Sequence, residues 1–526
     1  MQQNFSEETL ALIKGLRKDN TTTGIAQATG LNFYYLEPQA KNIYPVFYPI
    51  LASTPRTNPM FNGMKVGGTA INWKAIVGID QGGYPGVSEG NRNAFMNIVE
   101  RDFAAPFKFL GKDTQVSFQA QQMGLGFDDN IALAQLSLLN ALLNDEERMM
   151  LYGNSGDAGH GGANGYVLGT TPTPVLAQNT DSTTGQLPAN SYNYVYCVAL
   201  TPWGVQMASS TGVGLPYLRT NADGSTDTIN GGTAIVSLVS NGPIVTDGTH
   251  TSLSATVAAV RGAVGYAWFL AQNISPSTAN AFFSQISSTP SAKLVVYNNT
   301  YQAANAQSTT VSGAAGNLTN DHSYNNLDFD GLLTWTFNYS TSVQPSYWKD
   351  LGGAGFTANG DGSIAEFEGV MDYLWQNYKI SIDKIYVGGN LIDSITKAIL
   401  TASSGGTAAQ RLNFNMDEGG RIIGGVKVVQ YRSKYSTTGA AKVVDVITHP
   451  WLPNGVVYFD LINNPYPAAG NSIPAVRRIV SLEDHFSIKW PYRKLQHEMG
   501  VYCFETMEHY IPFGTAVLTG CANKVN

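Results

Sequence analysis

Charged residues are scarce in this sequence. The 526-residue chain carries 31 Lys and Arg against 38 Asp and Glu, so only 13% of its residues are charged and the formal net charge is −7. Neutralising nucleic-acid phosphates requires clustered Lys and Arg, and the sequence has no basic stripe of that kind. The composition therefore argues against a protein that grips nucleic acid through a charged surface.

Cysteine is also rare. The chain has three cysteines, which are widely spaced and include no C-x-x-C pair: Cys197, Cys503 and Cys521. This odd, dispersed set predicts neither a disulfide framework nor a structural zinc site. We expect no metal and no cofactor, and synthesis in a reducing cytoplasm.

Targeting and membrane signals are missing. The first residues include Glu7 and Glu8 where a signal peptide would be basic, and no apolar stretch of secretory length follows. The most apolar later stretch, 255–271, is interrupted by Arg261 and is shorter than the ~20 residues that span a bilayer. The sequence predicts no membrane segment.

Apolar residues, in contrast, are abundant. They make up 43% of the chain, which is too hydrophobic for intrinsic disorder, and 55 Gly with 23 Pro predict many turns and extended segments. At ~150 residues per domain, the length corresponds to about three or four folding units. A short helix is predicted at 6–18, followed by an extended arm with regularly placed prolines and an aromatic run.

A long hairpin is predicted at 53–118. Apolar residues alternate from Ile71 to Ile79, a glycine-rich tip follows around 82–90, and the return leg covers roughly 95–118. The return leg is mixed apolar and polar without a wide apolar face, so the hairpin is expected to lack a core of its own. It requires a neighbouring surface on which to lie.

The strongest helix prediction begins at Asp128 and Asp129 and ends before Gly153. Its leucines recur at helical spacing, and its expected length is about 35 Å. We predict that the carboxylates of Glu146 and Glu147 lie in solvent near the end of this helix.

The composition changes after residue 153. Residues 166–320 contain seven charged residues in 155 and show short alternating strands separated by Gly, Pro and Asn turns. This predicts an inserted β-sandwich. The stretches 192–200 and 260–268 resemble paired strands of a fibronectin type III or immunoglobulin-like module.

An α/β pattern follows from residue 361. Two helical faces flank a buried strand at 384–387, further strands are predicted at 426–431, 443–447 and 456–461, and strands return between 486 and 520. The fold class is therefore α+β with an inserted all-β sandwich.

No constellation of catalytic residues is apparent. The stretch 357–368 is close to a calcium-binding loop but begins with Thr where Asp is needed, and is interpreted as a turn before a helix. The three C-terminal histidines are spaced by 12 residues and are interpreted as isolated: His485, His497 and His509. The chain is predicted not to be an enzyme.

The order of these elements resembles that of tailed-bacteriophage major capsid proteins, whose fold is shared with encapsulins and the floor of herpesvirus capsids. Three stretches carry the resemblance: 87–90 in the hairpin tip, 147–154 at the end of the long helix, and 501–520 in the closing strands. The resemblance covers about 370 residues outside the insertion.

The resemblance implies a set of domains. They are an N-terminal helix and arm (1–52), an extended loop hairpin (53–118), a peripheral domain with a spine helix (119–153), an axial domain (330–470) and closing strands of the peripheral domain (475–526). The inserted sandwich (166–320) is an addition to this pattern. By its neutral, polar composition, the sandwich is expected to decorate the outer surface.

The implied function is that of a major capsid protein, a structural subunit that forms hexamers and pentamers in an icosahedral head. The expected partners are other copies, a separate scaffolding protein, a portal and packaged double-stranded DNA without sequence-specific contact. The expected location is the virion, after synthesis in the host bacterial cytoplasm. An encapsulin-like compartment and a carbohydrate-binding β-protein remain as alternatives.

Candidate contact residues follow from this reading. Those expected between subunits are Phe33, Tyr34, Tyr35, Tyr44, Phe47, Tyr48, Tyr84, Pro85, Glu89 and Arg92. Those expected as surface ligand contacts are Trp203 and Tyr217. In the carbohydrate-binding alternative, Tyr266 and Trp268 would join them in stacking on sugars; otherwise these aromatics belong to the core.

Overall fold

A computed structural model gives the fold of this chain over most of its length. The described residues are 47–61, 64–65, 67–79, 85–93, 95, 98–124, 129–156, 167–178, 187, 190–210, 212–247, 252–273, 281–294, 316–338, 345–359, 363–401, 428–436, 442–466 and 475–523. The predicted helix at 6–18 and the aromatic arm before Phe47 lie outside them.

The described part contains short and long helices. They are α1 (Pro49–Ser53), α2 (Phe118–Gly124), α3 (Asn130–Tyr152), α4 (Pro202–Met207), α5 (Leu332–Asn338), α6 (Ala365–Tyr378) and α7 (Ile392–Thr401). No described helix is long and apolar enough to cross a lipid bilayer.

Most of the ordered chain is strand. The strands are β1 (Arg56–Thr57), β2 (Met60–Phe61), β3 (Met64–Lys65), β4 (Ala70–Ile79), β5 (Ile98–Pro106), β6 (Lys108–Ser117), β7 (Val175–Gln178), β8 (Tyr192–Leu200), β9 (Tyr217–Thr220), β10 (Thr226–Ile229), β11 (Ile244–Val245), β12 (Leu253–Thr256), β13 (Gly265–Asn273), β14 (Phe282–Ser287), β15 (Ser291–Leu294), β16 (Tyr347–Asp350), β17 (Lys384–Val387), β18 (Gln430–Ser433), β19 (Lys442–Thr448), β20 (Val457–Asp460), β21 (Arg477–Lys489), β22 (Gln496–His509) and β23 (Ala516–Thr519). The mixed class agrees with the α+β prediction.

The long helix α3 forms where the sequence predicts it. The Asp129 side chain caps its start by accepting from two backbone N–H groups, and Gly153 ends it by donating to the Met149 carbonyl at 2.7 Å. A side chain at Gly153 would meet the Phe329 carbonyl at 2.3 Å, so only glycine fits where α3 meets the following segment. Twenty-three residues give a length of about 34 Å.

Helix α3 packs on a four-stranded sheet, called the closing sheet, in the order β1-β21-β22-β6. Here the prediction of a single return leg at 95–118 is wrong. The leg divides at Pro106, which has no N–H for a ladder: β5 pairs with β4 in the hairpin, whereas β6 pairs with β22. Leu110 and Val116 of β6 are buried, which explains why this half leaves the hairpin.

A six-stranded sheet lies beside it in the order β16-β23-β20-β17-β19-β18, with α6 and α7 following the predicted helical faces. The closing strands are thus divided between two sheets, because β23 pairs with β16 and β20 rather than with β22. One core joins both sheets, α3 and α5.

The inserted region contains a sheet β11-β8-β13-β14 and a sheet β15-β12-β7. Their facing sides share a buried core that includes Cys197, Leu253 and Trp268. Arg261 attaches this region to the body by donating to the backbone carbonyls of Phe337 at 2.7 Å and Thr336 at 3.1 Å. The immunoglobulin-like or fibronectin-like assignment stays a prediction.

Candidate assembly interface

The segment 47–57, which continues from the predicted arm, is held by a buried carboxylate. Glu147 accepts hydrogen bonds from the backbone N–H groups of Ile50 at 2.9 Å and Leu51 at 2.7 Å, and from His449 Nε2 at 2.8 Å. His449 Nδ1 accepts from the Trp451 N–H at 3.3 Å, which leaves the proton on Nε2. Through Glu147, helix α3 therefore holds the start of α1 against the six-stranded sheet.

A second clamp follows six residues later. Arg56 in β1 donates to Glu146 Oε1 at 2.5 Å and to Asp484 at 3.1 Å, and forms an ion pair with Glu505 Oε2. Burial on its own would lower the pKa of Arg56, but the Glu505 and Glu146 carboxylates outweigh it and raise that pKa above its ordinary value. The arm segment is thus tied to α3 and to the closing sheet.

Two further side chains complete this cluster. His485 Nε2 lies 2.9 Å from Glu146 Oε2. Cys503 of β22 pairs with Leu110 of β6. Burial, followed by the negative charge of Glu146, raises the pKa of Glu505 well above its usual range. Burial likewise raises the pKa of the Cys503 thiol. Among the described residues, Glu146, His485 and Cys503 form a group that could hold a metal ion.

A third clamp uses a fully buried ion pair. Arg477 at the start of β21 pairs with both carboxylate oxygens of Asp460 and donates to Thr54 Oγ1 at 3.1 Å. Arg477 and Asp460 are both 0% exposed. Four buried charged residues therefore contact residues 50–56 and attach this short segment to the body: Glu146, Glu147, Arg477 and Glu505.

The expectation that Glu146 and Glu147 lie in solvent is wrong. Their exposed fractions are 1% and 0%. Two consecutive acidic residues near a helix end usually indicate a solvated surface, and the sequence offers no local signal of their partners, which are about 90 to more than 300 residues away. Only the tertiary contacts show that these side chains hold the arm segment.

Among the described residues, the aromatic contacts between the hairpin β4–β5 and the body lie near the base of the hairpin. Trp73 stacks on Phe103 with ring centroids 5.5 Å apart, and both rings lie close to Trp335. Beyond the base, every described tip residue from 85 to 93 is exposed, and Phe95 is 98% exposed. The hairpin therefore projects from the body without a covering surface from its own chain along the described tip.

The residues predicted to contact other subunits fall into three groups. Pro85, Glu89 and Arg92 are exposed on the tip. Phe47 is 44% exposed with its ring 6.2 Å from that of His449, and Tyr48 is half-buried. The others lie outside the described residues: Phe33, Tyr34, Tyr35, Tyr44 and Tyr84.

Exposed apolar side chains occur at a second place, where the closing sheet ends. Leu495 is 83% exposed and Tyr492 is 66% exposed in the β21–β22 turn, and Met123 of α2 is 76% exposed. Leu136 on the first half of α3 is 55% exposed, so the predicted apolar stripe of this helix is covered only in part. These residues were not identified from the sequence as contact candidates.

The aromatic residues of the inserted region differ in their exposure. Tyr266 and Trp268 are 1% and 0% exposed, and Trp268 Nε1 donates to Ser287 Oγ at 2.8 Å, so both belong to the core. Trp203 donates to the Asn230 carbonyl and packs beside the Arg148 guanidinium. Tyr217 is 44% exposed on the β9–β10 ribbon.

No protein-family model matches this sequence, and no curated protein matches it. Solved structures with similar architecture are capsid shells and an encapsulin shell. The capsid of cyanophage A-1(L) aligns over 94% of this chain and 98% of its own at 9% identity and a TM-score of 0.40. The holo encapsulin complex of Synechococcus elongatus aligns over 96% and 97% at 8% identity and a TM-score of 0.35.

A third similar structure is the capsid of the Myoviridae phage XM1. It aligns over 93% of this chain and 96% of its own, at 6% identity and a TM-score of 0.37. These TM-scores are all below 0.5, and we therefore base the functional proposal on contacts within this chain.

Proposed function

We propose that this protein is a structural shell subunit that assembles with copies of itself as hexamers and pentamers in an icosahedral, tailed-phage-like head. The observation that carries the proposal is the projecting hairpin β4–β5, whose base is buried and whose described tip is entirely exposed. The proposed partners are other copies, a scaffolding protein, a portal and enclosed double-stranded DNA, with the inserted region on the outside.

The hairpin supports assembly because a two-stranded ribbon has little stability in water unless another surface covers it. From Trp73 in the base to Ile79, six residues at ~3.4 Å each place the strand end about 20 Å further out. A monomer gains nothing from extending such a ribbon into solvent. In a shell, the neighbouring copy provides the missing surface.

The arm junction supports the same function. Residues 50–56 are held on the body by the contacts of Glu147 and Arg477 and by the ion pair of Arg56 with Glu146. The predicted arm therefore begins next to a segment that is fixed to the body. An arm anchored at one end can reach a neighbour without losing its connection to the subunit. Burying each exposed apolar side chain, such as Phe95 or Leu495, in a neighbour contributes about 1.5–3 kcal/mol.

The proposal is tested by expressing the full chain with its scaffolding partner and examining it by negative-stain electron microscopy and mass photometry. We expect closed shells or rings for the wild type and a marked loss of them for the double variant Phe95→Ser, Leu495→Ser. Leu218→Ser is the matched control, because Leu218 is 67% exposed on the inserted region.

Two results would contradict the proposal: a wild-type protein that stays monomeric with scaffold present, or a double variant that assembles as well as Leu218→Ser. Nuclease-protected DNA inside the particles distinguishes a viral head from a compartment filled with protein cargo.

A further inference from the structure

A cluster of potential metal ligands lies beneath the arm segment. Glu146 of α3, His485 of β21 and Cys503 of β22 each direct one ligand atom into the cluster, and these atoms all lie within 4.8 Å of one another. The side chains of Glu146 and His485 are 0% and 19% exposed, and Cys503 is 0% exposed. Helix α3 and two consecutive strands from the C-terminal part of the chain therefore converge on one small volume.

Glu505 is a second, independent indication of a ligand. It is 0% exposed, and its Oε1 has no hydrogen-bond partner in the described structure. Glu505 and Glu146 both bind Arg56, so the two buried carboxylates lie near each other, and their repulsion favours either a proton on one of them or a further cation besides the guanidinium.

The distribution of contacts leaves one oxygen of each carboxylate for that cation. Arg56 binds Glu146 Oε1 and Glu505 Oε2, so it occupies the other side of both groups. Glu146 Oε2 then faces His485, and Glu505 Oε1 is unpartnered.

We propose that this cluster binds a zinc ion through Glu146 Oε2, His485 Nε2 and Cys503 Sγ. Thiolate, imidazole and carboxylate are the donor types that zinc prefers. Bond lengths of 2.0–2.3 Å in a tetrahedron place the ligand atoms about 3.3–3.8 Å apart. The ligand atoms here lie within 4.8 Å of one another, so zinc binding requires the 2.9 Å contact between His485 and Glu146 to open and the wider spacings to close by about 1 Å.

Such a site has a structural role. Glu146 and Cys503 are buried and only His485 is partly exposed, so the site is closed to a substrate, and Arg56 orients Glu146 by a hydrogen bond. The ion would join helix α3 to strands β21 and β22 of the closing sheet, next to β1. This inference does not depend on the proposed function.

The first test measures the metal content of the untagged, full-length protein after dialysis against zinc, and the spectrum after cobalt replaces zinc. We expect one zinc per chain and a thiolate-to-cobalt charge-transfer band. Cys503→Ser should lose the band and most of the zinc, whereas Cys521→Ser, which alters a buried cysteine elsewhere, should keep both.

A second pair of variants covers the case in which Cys503→Ser fails to fold. His485→Gln removes a ligand and should weaken zinc affinity by at least the roughly 10- to 100-fold that loss of an outer-shell partner typically costs, whereas His497→Gln, whose ring contacts Tyr492 and Gln121, should not. Zinc should raise the melting temperature of the wild type and of His497→Gln only. Absence of stoichiometric zinc in the wild type, or equal affinity in the two histidine variants, would overturn the proposal and leave a shared proton between the carboxylates.

Discussion

Replacing Glu147 by Gln should weaken the attachment of the arm segment by a predictable amount. The carboxylate accepts from Ile50 N–H and His449 on one oxygen and from Leu51 N–H on the other. Gln keeps the shape, so no cavity forms, but its NH₂ group must face at least one of these donors. One buried N–H left without an acceptor costs about 1–3 kcal/mol, and the lost charge weakens the remaining bonds. We expect a loss of about 2–4 kcal/mol in the free energy of unfolding.

Asp145→Asn is the matched control on the same helix. Asp145 pairs with Lys112 and Arg148, but its side chain is 35% exposed, so solvent screening limits the cost to less than about 1 kcal/mol. The assay is urea unfolding of the unassembled protein, followed by tryptophan fluorescence and by the rate of tryptic cleavage at Arg56. Equal midpoints and equal cleavage rates for the two variants would refute the reasoning.

Three other predictions concern the same core. Asp460→Ala should cost about 3–5 kcal/mol in unfolding free energy because it strands the buried Arg477, and the double change with Arg477→Met should cost clearly less than the sum of the single changes. Burial and then the Arg477 charge lower the pKa of His509 to about 3, so the contribution of His509 to stability should be constant above about pH 6.5 and fall by about 1.4 kcal/mol per unit as the pH drops towards 3. His509→Phe should flatten that acid limb in denaturation curves taken across pH, and an unchanged slope would contradict this. Gly331→Ala should lower the melting temperature strongly because its Cβ would meet the Met149 carbonyl at 2.6 Å. Gly369→Ala in the open face of α6 should raise the melting temperature slightly. The same shift for both variants would contradict the idea that the close approach at Gly331 requires glycine.

Local patterns predicted the elements whose stability depends on periodicity. Helix α3 follows from an N-cap aspartate, leucines at helical spacing and a terminal glycine, and strand β17 occurs at the predicted residues. The alternation from Ile71 to Ile79 predicted β4. The mixed apolar and polar return leg predicted that the hairpin has no hydrophobic core of its own. These signals act over a few residues and are visible without knowledge of the fold.

Pairing partners were not predictable in the same way. The division of the return leg at Pro106 depends on β22 offering an edge to β6, and the separation of β23 from β22 depends on β16 and β20. Strand alternation indicates which side chains point inward but not which sheet receives them. Both errors in the predicted organisation come from that difference.

The sequence by itself determined the class of the fold, the long capped helix, the projecting hairpin and the low charge of the inserted region. Only the tertiary structure decided which charged residues are buried and with which partners they pair. Glu146 and Glu147 resemble a solvated helix end, yet they are buried because Arg56 and His449 arrive from distant segments. A buried charge is stable only beside its partner, and partners that are hundreds of residues apart in the chain meet only once the chain has folded.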